Sequence, residues 1–175
     1  MNSTPNANRK HIAIYGKTNA GKSSLINRLL GQEVSLVSEK EGTTTDPVQK
    51  AMELIPVGPV LFIDTAGFKD ESSLGEIRTK RTLDVLKRTD IAIYVFDATD
   101  IDLEEFTKIK RNFKKYNIPY LVAINQIDKI KKEELDLLKE NNKDYMFISS
   151  LTGEGIEDLK EKLINILKEE EDELP

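Results

Sequence analysis

Eight residues near the start of the chain constrain it most: Gly16-Lys17-Thr18-Asn19-Ala20-Gly21-Lys22-Ser23, a match to G-x-x-x-x-G-K-S/T. At ordinary residue frequencies the four fixed positions coincide by chance in fewer than about 1% of chains of this length. The apolar run at 11–15 reads as a strand and the stretch 23–30 as a helix, which is the context the motif needs. Glycines let the backbone curl so that successive N–H groups face a phosphate at the positive end of the following helix. On this reading Asn19, Ala20, Gly21, Lys22, Ser23 and Ser24 line a nucleotide's phosphates. Lys22 bridges the β- and γ-phosphates as a catalytic group, and the Ser23 hydroxyl is a magnesium ligand.

Composition narrows the rest. A chain of 175 residues with 38% hydrophobic and 33% charged content suits one globular domain. It has no cysteine and a single histidine, His11, so thiolate zinc, cysteine nucleophiles and an iron–sulfur cluster on this chain are excluded. Any metal must be a hard ion on oxygen ligands. His11 reads as a strand-start residue in preference to a catalyst. The net charge of −5 lacks the basic footprint of a nucleic-acid coat, so no nucleic-acid partner is expected. No apolar run approaches a membrane span, and the polar first ten residues lack a secretory h-region; a cytoplasmic protein is expected by elimination.

Along the chain, strand and helix patterns alternate. Strands are expected at 48–55, 60–63, 91–96, 119–124 and 145–148; helices at 74–87, from Leu103 to Phe113, at 133–140 and from Ile156 to Ile166. Residues 32–46 form a long aperiodic loop, and 169–173 an acidic run that reads as a solvated helix end. The expected fold is α/β: a three-layer, doubly wound, mostly parallel six-stranded sheet. Residues 1–9 are read as a tail, 10–168 as one domain and 169–175 as an acidic end leading into further domains. Such sheets bind ligands at the carboxyl ends of their strands.

Those ends carry more chemistry. Asp64-Thr65-Ala66-Gly67 ends the 60–63 strand; its carboxylate can hold magnesium through water, and the Gly67 N–H can sense a γ-phosphate. Asn125-Gln126-Ile127-Asp128 closes the 119–124 strand. An ionised Asp128 accepts from guanine N1–H and N2–H₂ together, a pair adenine does not offer. Asn125 can brace this pocket against the phosphate loop. Ser149-Ser150-Leu151, after the last strand, either offers a backbone N–H to guanine O6 or simply caps a turn.

Five motifs in this order (GKTNAGKS, GTTTD, DTAG, NQID, SSL) resemble the translation-factor-related P-loop GTPases, within a potassium-using group that includes tRNA-modification and ribosome-assembly GTPases. The flanking text NANRKHIAIYG, SLVSEKEGTTTDPVQKAMEL and PVGPVLFIDTAGF is more particular. It resembles the GTP-binding domain of the FeFe-hydrogenase maturation GTPases, the HydF family. The resemblance covers nearly the whole chain and implies a small-G-protein-like fold, GTP and GDP as ligands, Mg²⁺ and K⁺. It also implies slow GTP hydrolysis within a cluster-maturation scaffold protein. The partners implied for the longer protein are other hydrogenase maturation proteins and the hydrogenase. Members continue into a dimerisation domain, so a homodimer is implied for them, and into a cysteine- and histidine-bearing cluster domain. This chain then reads as the isolated N-terminal domain.

By register with the family, Thr44 completes the magnesium shell, and Asn19 holds potassium with carbonyls of residues 38–42. Phe68 stands where Ras-like proteins place a water-orienting glutamine. Asp70, Glu71 and Glu76 are the candidates to replace it, and the resemblance favours Glu76 as the catalytic one. One departure is Gln126, where the family usually has lysine; it covers part of the guanine face without charge. Two other readings stand beside hydrogenase maturation: a tRNA-modification or ribosome-assembly GTPase, and a non-hydrolysing docking module controlled by GTP.

Overall fold

The computed structural model describes residues 9–31, 48–65 and 83–172. A six-stranded sheet has the order β2-β3-β1-β4-β5-β6. The strands are β1 (Lys10–Gly16), β2 (Val48–Leu54), β3 (Gly58–Asp64), β4 (Ile91–Asp97), β5 (Tyr120–Asn125) and β6 (Met146–Phe147). Only the β2–β3 pair is antiparallel, a hairpin turning at residues 55–57; the other four pairings are parallel. The helices are α1 (Lys22–Leu30), α2 (residues 83–88 among those described), α3 (Leu103–Lys115), α4 (Lys132–Asn141) and α5 (Ile156–Asp172).

Alternation along β1 divides its side chains between two cores. Ile12 and Ile14 face Leu25, Ile26 and Leu29 of α1 and Leu159, Leu163 and Leu167 of α5. Ala13 and Tyr15 face Val85 and Leu86 of α2 and Phe106 and Phe113 of α3. All seven residues of β4 are buried, which explains its unbroken apolar run: helices cover both faces. The expected three-layer, doubly wound α/β fold is therefore the one observed.

Most element ends lie within two residues of the sequence expectation; three stretches stand apart. β6 is two residues instead of four. After Phe147 the Ile148 carbonyl turns to the Ile127 N–H (3.3 Å), so the chain leaves the ladder for the loop that follows. α5 continues past Ile166 to Asp172, carrying the acidic run as a helix end in line with the sequence reading and crossing residues 168 and 169 without a break. Of the helix expected at 74–87, the described part runs 83–88; residues 74–82, the loop 32–46 and the tail 1–8 lie outside the described residues.

The register brings the motifs level. Gly16 pairs with Val95, Ile14 with Asp64, and Asp97 with Asn125. β1 feeds α1 on one face while its neighbour β4 feeds α3 on the other, so the sheet's switch point opens beside the Gly16–Ser23 loop.

Candidate functional site

The loop after β1 is shaped by two glycines. A Cβ on Gly16 would collide with the Val95 carbonyl of the adjacent strand. Gly21 sits in the left-handed region (φ 85°), and a Cβ there would stand 2.7 Å from Asn125 Nδ2. Between them Thr18–Ala20 makes one 3₁₀ turn, with Ala20 N–H bonded to Lys17 O at 3.0 Å. α1 then starts at Lys22 with no side-chain cap, and its first backbone bond runs from Leu25 N–H to Gly21 O (2.9 Å). The N–H groups ahead of Leu25 are thus the helix's first-turn donors, at its positive end. The Lys22 ammonium, 2% exposed, donates to Gly16 O and Lys17 O, each at 2.7 Å. It arches over its own loop from inside the bend, within reach of the space an anion would fill.

A metal-type donor pair stands next to this loop. Ser23 Oγ donates to Asp64 Oδ2 at 3.0 Å, joining the start of α1 to the end of β3. A hydroxyl and a carboxylate are hard oxygen donors, and Mg²⁺ characteristically takes one or two protein oxygens, completing its shell with water and phosphate. Among the described residues no cluster of three or more acidic, histidine or cysteine side chains offers an all-protein cage. The donor set therefore fits Mg²⁺ held together with a nucleotide. Thr65, which sequence reasoning passed over, fixes the position of Asp64: its Oγ1 donates to Ile14 O (2.8 Å) on β1.

Asn125 connects the phosphate loop with the far end of the site. It is 1% exposed; Nδ2 donates to Ala20 O (3.0 Å), while Oδ1 accepts from Ser150 N–H (3.0 Å) and Ser150 Oγ (3.2 Å). The expected brace between base motif and phosphate loop is present. Gln126, held at φ 67°, donates from Nε2 to Asn19 O at 2.9 Å. Asp128 is exposed, and its Oδ1 accepts from Ser149 Oγ (2.7 Å), which in turn accepts from Thr152 N–H (3.0 Å). Of the two sequence readings of the serines, the turn cap is present in Ser149; its hydrogen bond to the Asp128 carboxylate is an addition the sequence did not suggest. Leu151 is 74% exposed, its side chain turned out of the core.

The structure thus gathers Asn19–Ser24, Asp64, Asn125, Gln126, Asp128 and Ser149–Leu151 along the carboxyl edge of the sheet. Thr44, Gly67, Phe68, Asp70, Glu71, Glu76 and the carbonyls of 38–42 lie outside the described residues. Two further features were not anticipated. Lys17 Nζ pairs with Asp102 Oδ2 (2.9 Å) and Asp100 Oδ2 (3.6 Å), tying the phosphate loop to the start of α3. The pairing raises the Lys17 pKa and, with the Glu104 N–H, lowers that of Asp102. Asp97 ends β4 by accepting from Thr99 N–H (2.9 Å) and Oγ1 (2.7 Å). An acidic residue after an apolar strand was the available signal for both. His11 stands at the other end of β1, its backbone N–H on Asp90 Oδ2 (2.7 Å), away from this edge, as expected of a strand-start residue.

Comparison with known proteins agrees with this geometry. GTPase Der of Persephonella marina is 42% identical over 123 residues, covering 68% of this chain and 27% of that protein. The tRNA modification GTPase MnmE of Caldicellulosiruptor saccharolyticus is 35% identical over 123 residues, 68% of this chain and 26% of that protein. The chain thus spans about a quarter of the length of these relatives. Among solved structures, Era of Aquifex aeolicus bound to GDP·AlF₄⁻ superposes with a TM-score of 0.65 at 32% identity, over 90% of this chain and 56% of that one. Era has also been solved with MgGDPNP and nucleotides 1506–1542 of 16S ribosomal RNA, again at 32% identity and a TM-score of 0.65, over 91% of this chain and 56% of that one. That complex sets a relative's RNA partner against the expectation of none here. Residues 11–126 match the family described as 50S ribosome-binding GTPase, and the chain belongs to that P-loop GTPase family.

Proposed function

We propose that this domain binds GTP at the carboxyl edge of its sheet and hydrolyses it slowly to GDP and phosphate, as the switch of a longer protein. The observation that carries the reading is the Asn125 side chain, bonded at once to the phosphate loop and to the Ser149–Leu151 loop. It sets the two ends of a nucleotide site at a fixed spacing. In this reading the first-turn N–H groups of α1 and the Lys22 ammonium take the phosphates, and Asp128 selects guanine over adenine. A site built to hydrogen-bond one base rejects an analogue that leaves its polar groups unpaired. Ser23 and Asp64, with Thr44, would hold Mg²⁺, which neutralises charge on the β- and γ-phosphates. Gly67 senses the γ-phosphate and Glu76 orients the attacking water. Asn19 would hold K⁺, placing positive charge where negative charge develops during transfer.

Binding of GTP and GDP with little affinity for ATP, and turnover of GTP that Lys22→Ala abolishes, is the test. Equal affinity for ATP, or turnover unchanged in Lys22→Ala, refutes the assignment. Hydrolysis in K⁺ against Na⁺ at matched ionic strength, repeated with Asn19→Ala, tests the potassium ligand; equal rates in both salts remove it.

The process served is supported from two sides. The family description, 50S ribosome-binding GTPase, and the relative named tRNA modification GTPase MnmE favour ribosome-assembly or tRNA-modification work, and the Era–RNA complex favours an RNA partner for the longer protein. The stretch around GTTTDPVQKAMEL favours FeFe-hydrogenase maturation, with maturation proteins as partners. A strain lacking the gene separates them: loss of hydrogenase activity with normal tRNA modification and ribosomal subunit profiles supports the second, and the reverse supports the first.

A further inference from the structure

Arg28 lies in the last turn of α1, two turns from the phosphate loop, on the helix that Leu25, Ile26 and Leu29 bury against the sheet. Its guanidinium reaches across to a loop 122 residues later: Nε donates to Ser150 O at 2.8 Å and Nη2 to Leu151 O at 2.7 Å. A planar fork with donors on neighbouring nitrogens suits two successive carbonyls, a geometry a lysine cannot reproduce. Each contact fixes a whole peptide unit. In a trans peptide the C=O and the following N–H point in opposite directions, so a held carbonyl aims the next N–H away from the holder. The Leu151–Thr152 unit shows it: its carbonyl is on Arg28, and its N–H is on Ser149 Oγ (3.0 Å), the hydroxyl that donates to Asp128. The Ser150–Leu151 unit is held the same way, which turns the Leu151 N–H off Arg28.

We infer that Arg28 is a positioning residue for guanine recognition: by holding the Ser150 and Leu151 carbonyls it aims the Leu151 N–H at the guanine O6. The inference rests on the guanine reading of Asp128 given above. It also makes α1 a single rigid part that carries phosphate donors at one end and sets the base donor from the other. A role confined to the helix end does not account for it. Favourable interaction with the α1 dipole needs only a positive charge near the last turn, with no aimed fork.

The probe is 6-thio-GDP, which keeps N1–H and the 2-amino group for Asp128 but presents a poorly accepting sulfur at position 6. Affinities for GDP, 6-thio-GDP and ADP are measured for the unmodified chain, Arg28→Ala and Arg28→Lys. The unmodified chain is expected to prefer GDP over 6-thio-GDP. Arg28→Ala is expected to lose about tenfold on GDP, the worth of one well-made hydrogen bond, and little on 6-thio-GDP, so the preference collapses. Arg28→Lys, able to hold one carbonyl, recovers part of it. A loss in Arg28→Ala that is equal for both nucleotides, or absent for both, overturns the inference while leaving the guanine site standing. Unmodified protein that binds ADP as tightly as GDP overturns the guanine reading and this inference with it.

Discussion

At the scale of single residues, Asn125 shows how one buried polar side chain can be both structural and functional. Burial without partners would cost roughly 2–7 kcal/mol, and here three hydrogen bonds within the protein offset it. Asn125→Ala leaves the Ala20 carbonyl and the Ser150 N–H without their partner. We expect it to cost about 2–4 kcal/mol of stability in urea denaturation and to weaken GDP binding as well. A stable variant that binds GDP normally would show the bridge to be dispensable. His11 carries a different prediction. Burial holds its imidazole below the ordinary 6.5, with Arg88 adding to the effect and Asp90 opposing it. The imidazole is therefore neutral at pH 7, and the 4.0 Å approach of Nδ1 to Asp90 is not an ion pair there. A pKa lower in the folded state means the unfolded chain takes up the proton first. Stability from neutral His11 is complete above pH 6.5 and is lost as pH falls below it, through the lower folded value. His11→Gln should flatten the fall in urea midpoint between pH 7.5 and 5.5; an unchanged slope would assign that fall to other groups. The places of Lys22, Ser23 and Asn125 at the sheet's carboxyl edge were legible because each stands in a motif of fixed spacing. The partners of Thr65, Arg28 and Asp102 were not, because they lie far away in the chain or across a loop and no motif names them.

At the scale of elements, the two cores explain which parts of the fold could be read from sequence. β4 and β5 announced themselves as unbroken apolar runs because helices cover both faces, and α3 by apolar positions at helical spacing that become Phe106 and Phe113. β6 was read too long because Ile148 is as apolar as its neighbours; it is buried in the α1–α5 core while its carbonyl serves a turn. Apolarity marks burial, and burial alone does not mark a strand. α5 is the element that closes the α1 side, with Leu159, Leu163 and Leu167 fully buried. Leu163→Ala removes a side chain from that packed layer and should cost about 2–5 kcal/mol, the spread depending on how far α1 and α5 close the gap. Because Leu163 lies two turns beyond the Ser149–Gly155 loop, the preference for GDP over ADP should survive in the folded fraction. Denaturation with and without GDP measures both quantities. A preference lost together with stability would mean that the loop has no rigidity of its own apart from α5.

At the scale of the whole molecule, the carboxyl edge of one sheet collects groups contributed by β1, β3, β5 and the segment after β6, and a nucleotide would touch all of them at once. A ligand that binds only the folded state stabilises it by an amount set by its concentration over its Kd, about 2.7 kcal/mol at a hundredfold excess. For a domain of this size each kcal/mol moves the melting temperature by roughly 2–4 °C, so saturating GDP should raise Tm by about 5–10 °C. The pattern of that shift reports on the parts of the site separately. ADP at the same concentration should give almost none, because Asp128 can accept from guanine and finds no matching donors on adenine. Lys22→Ala should abolish most of the shift, since the ammonium that now holds Gly16 O and Lys17 O is the loop's own positive charge. Chelating divalent ions should reduce the shift given by GTP more than that given by GDP, because the Ser23–Asp64 pair would hold an ion whose charge offsets the larger charge of the triphosphate. A GTP shift indifferent to chelation would take that pair out of the site, and a shift equal for ADP would take out Asp128. Either result would leave the fold as described and remove one end of the nucleotide from it.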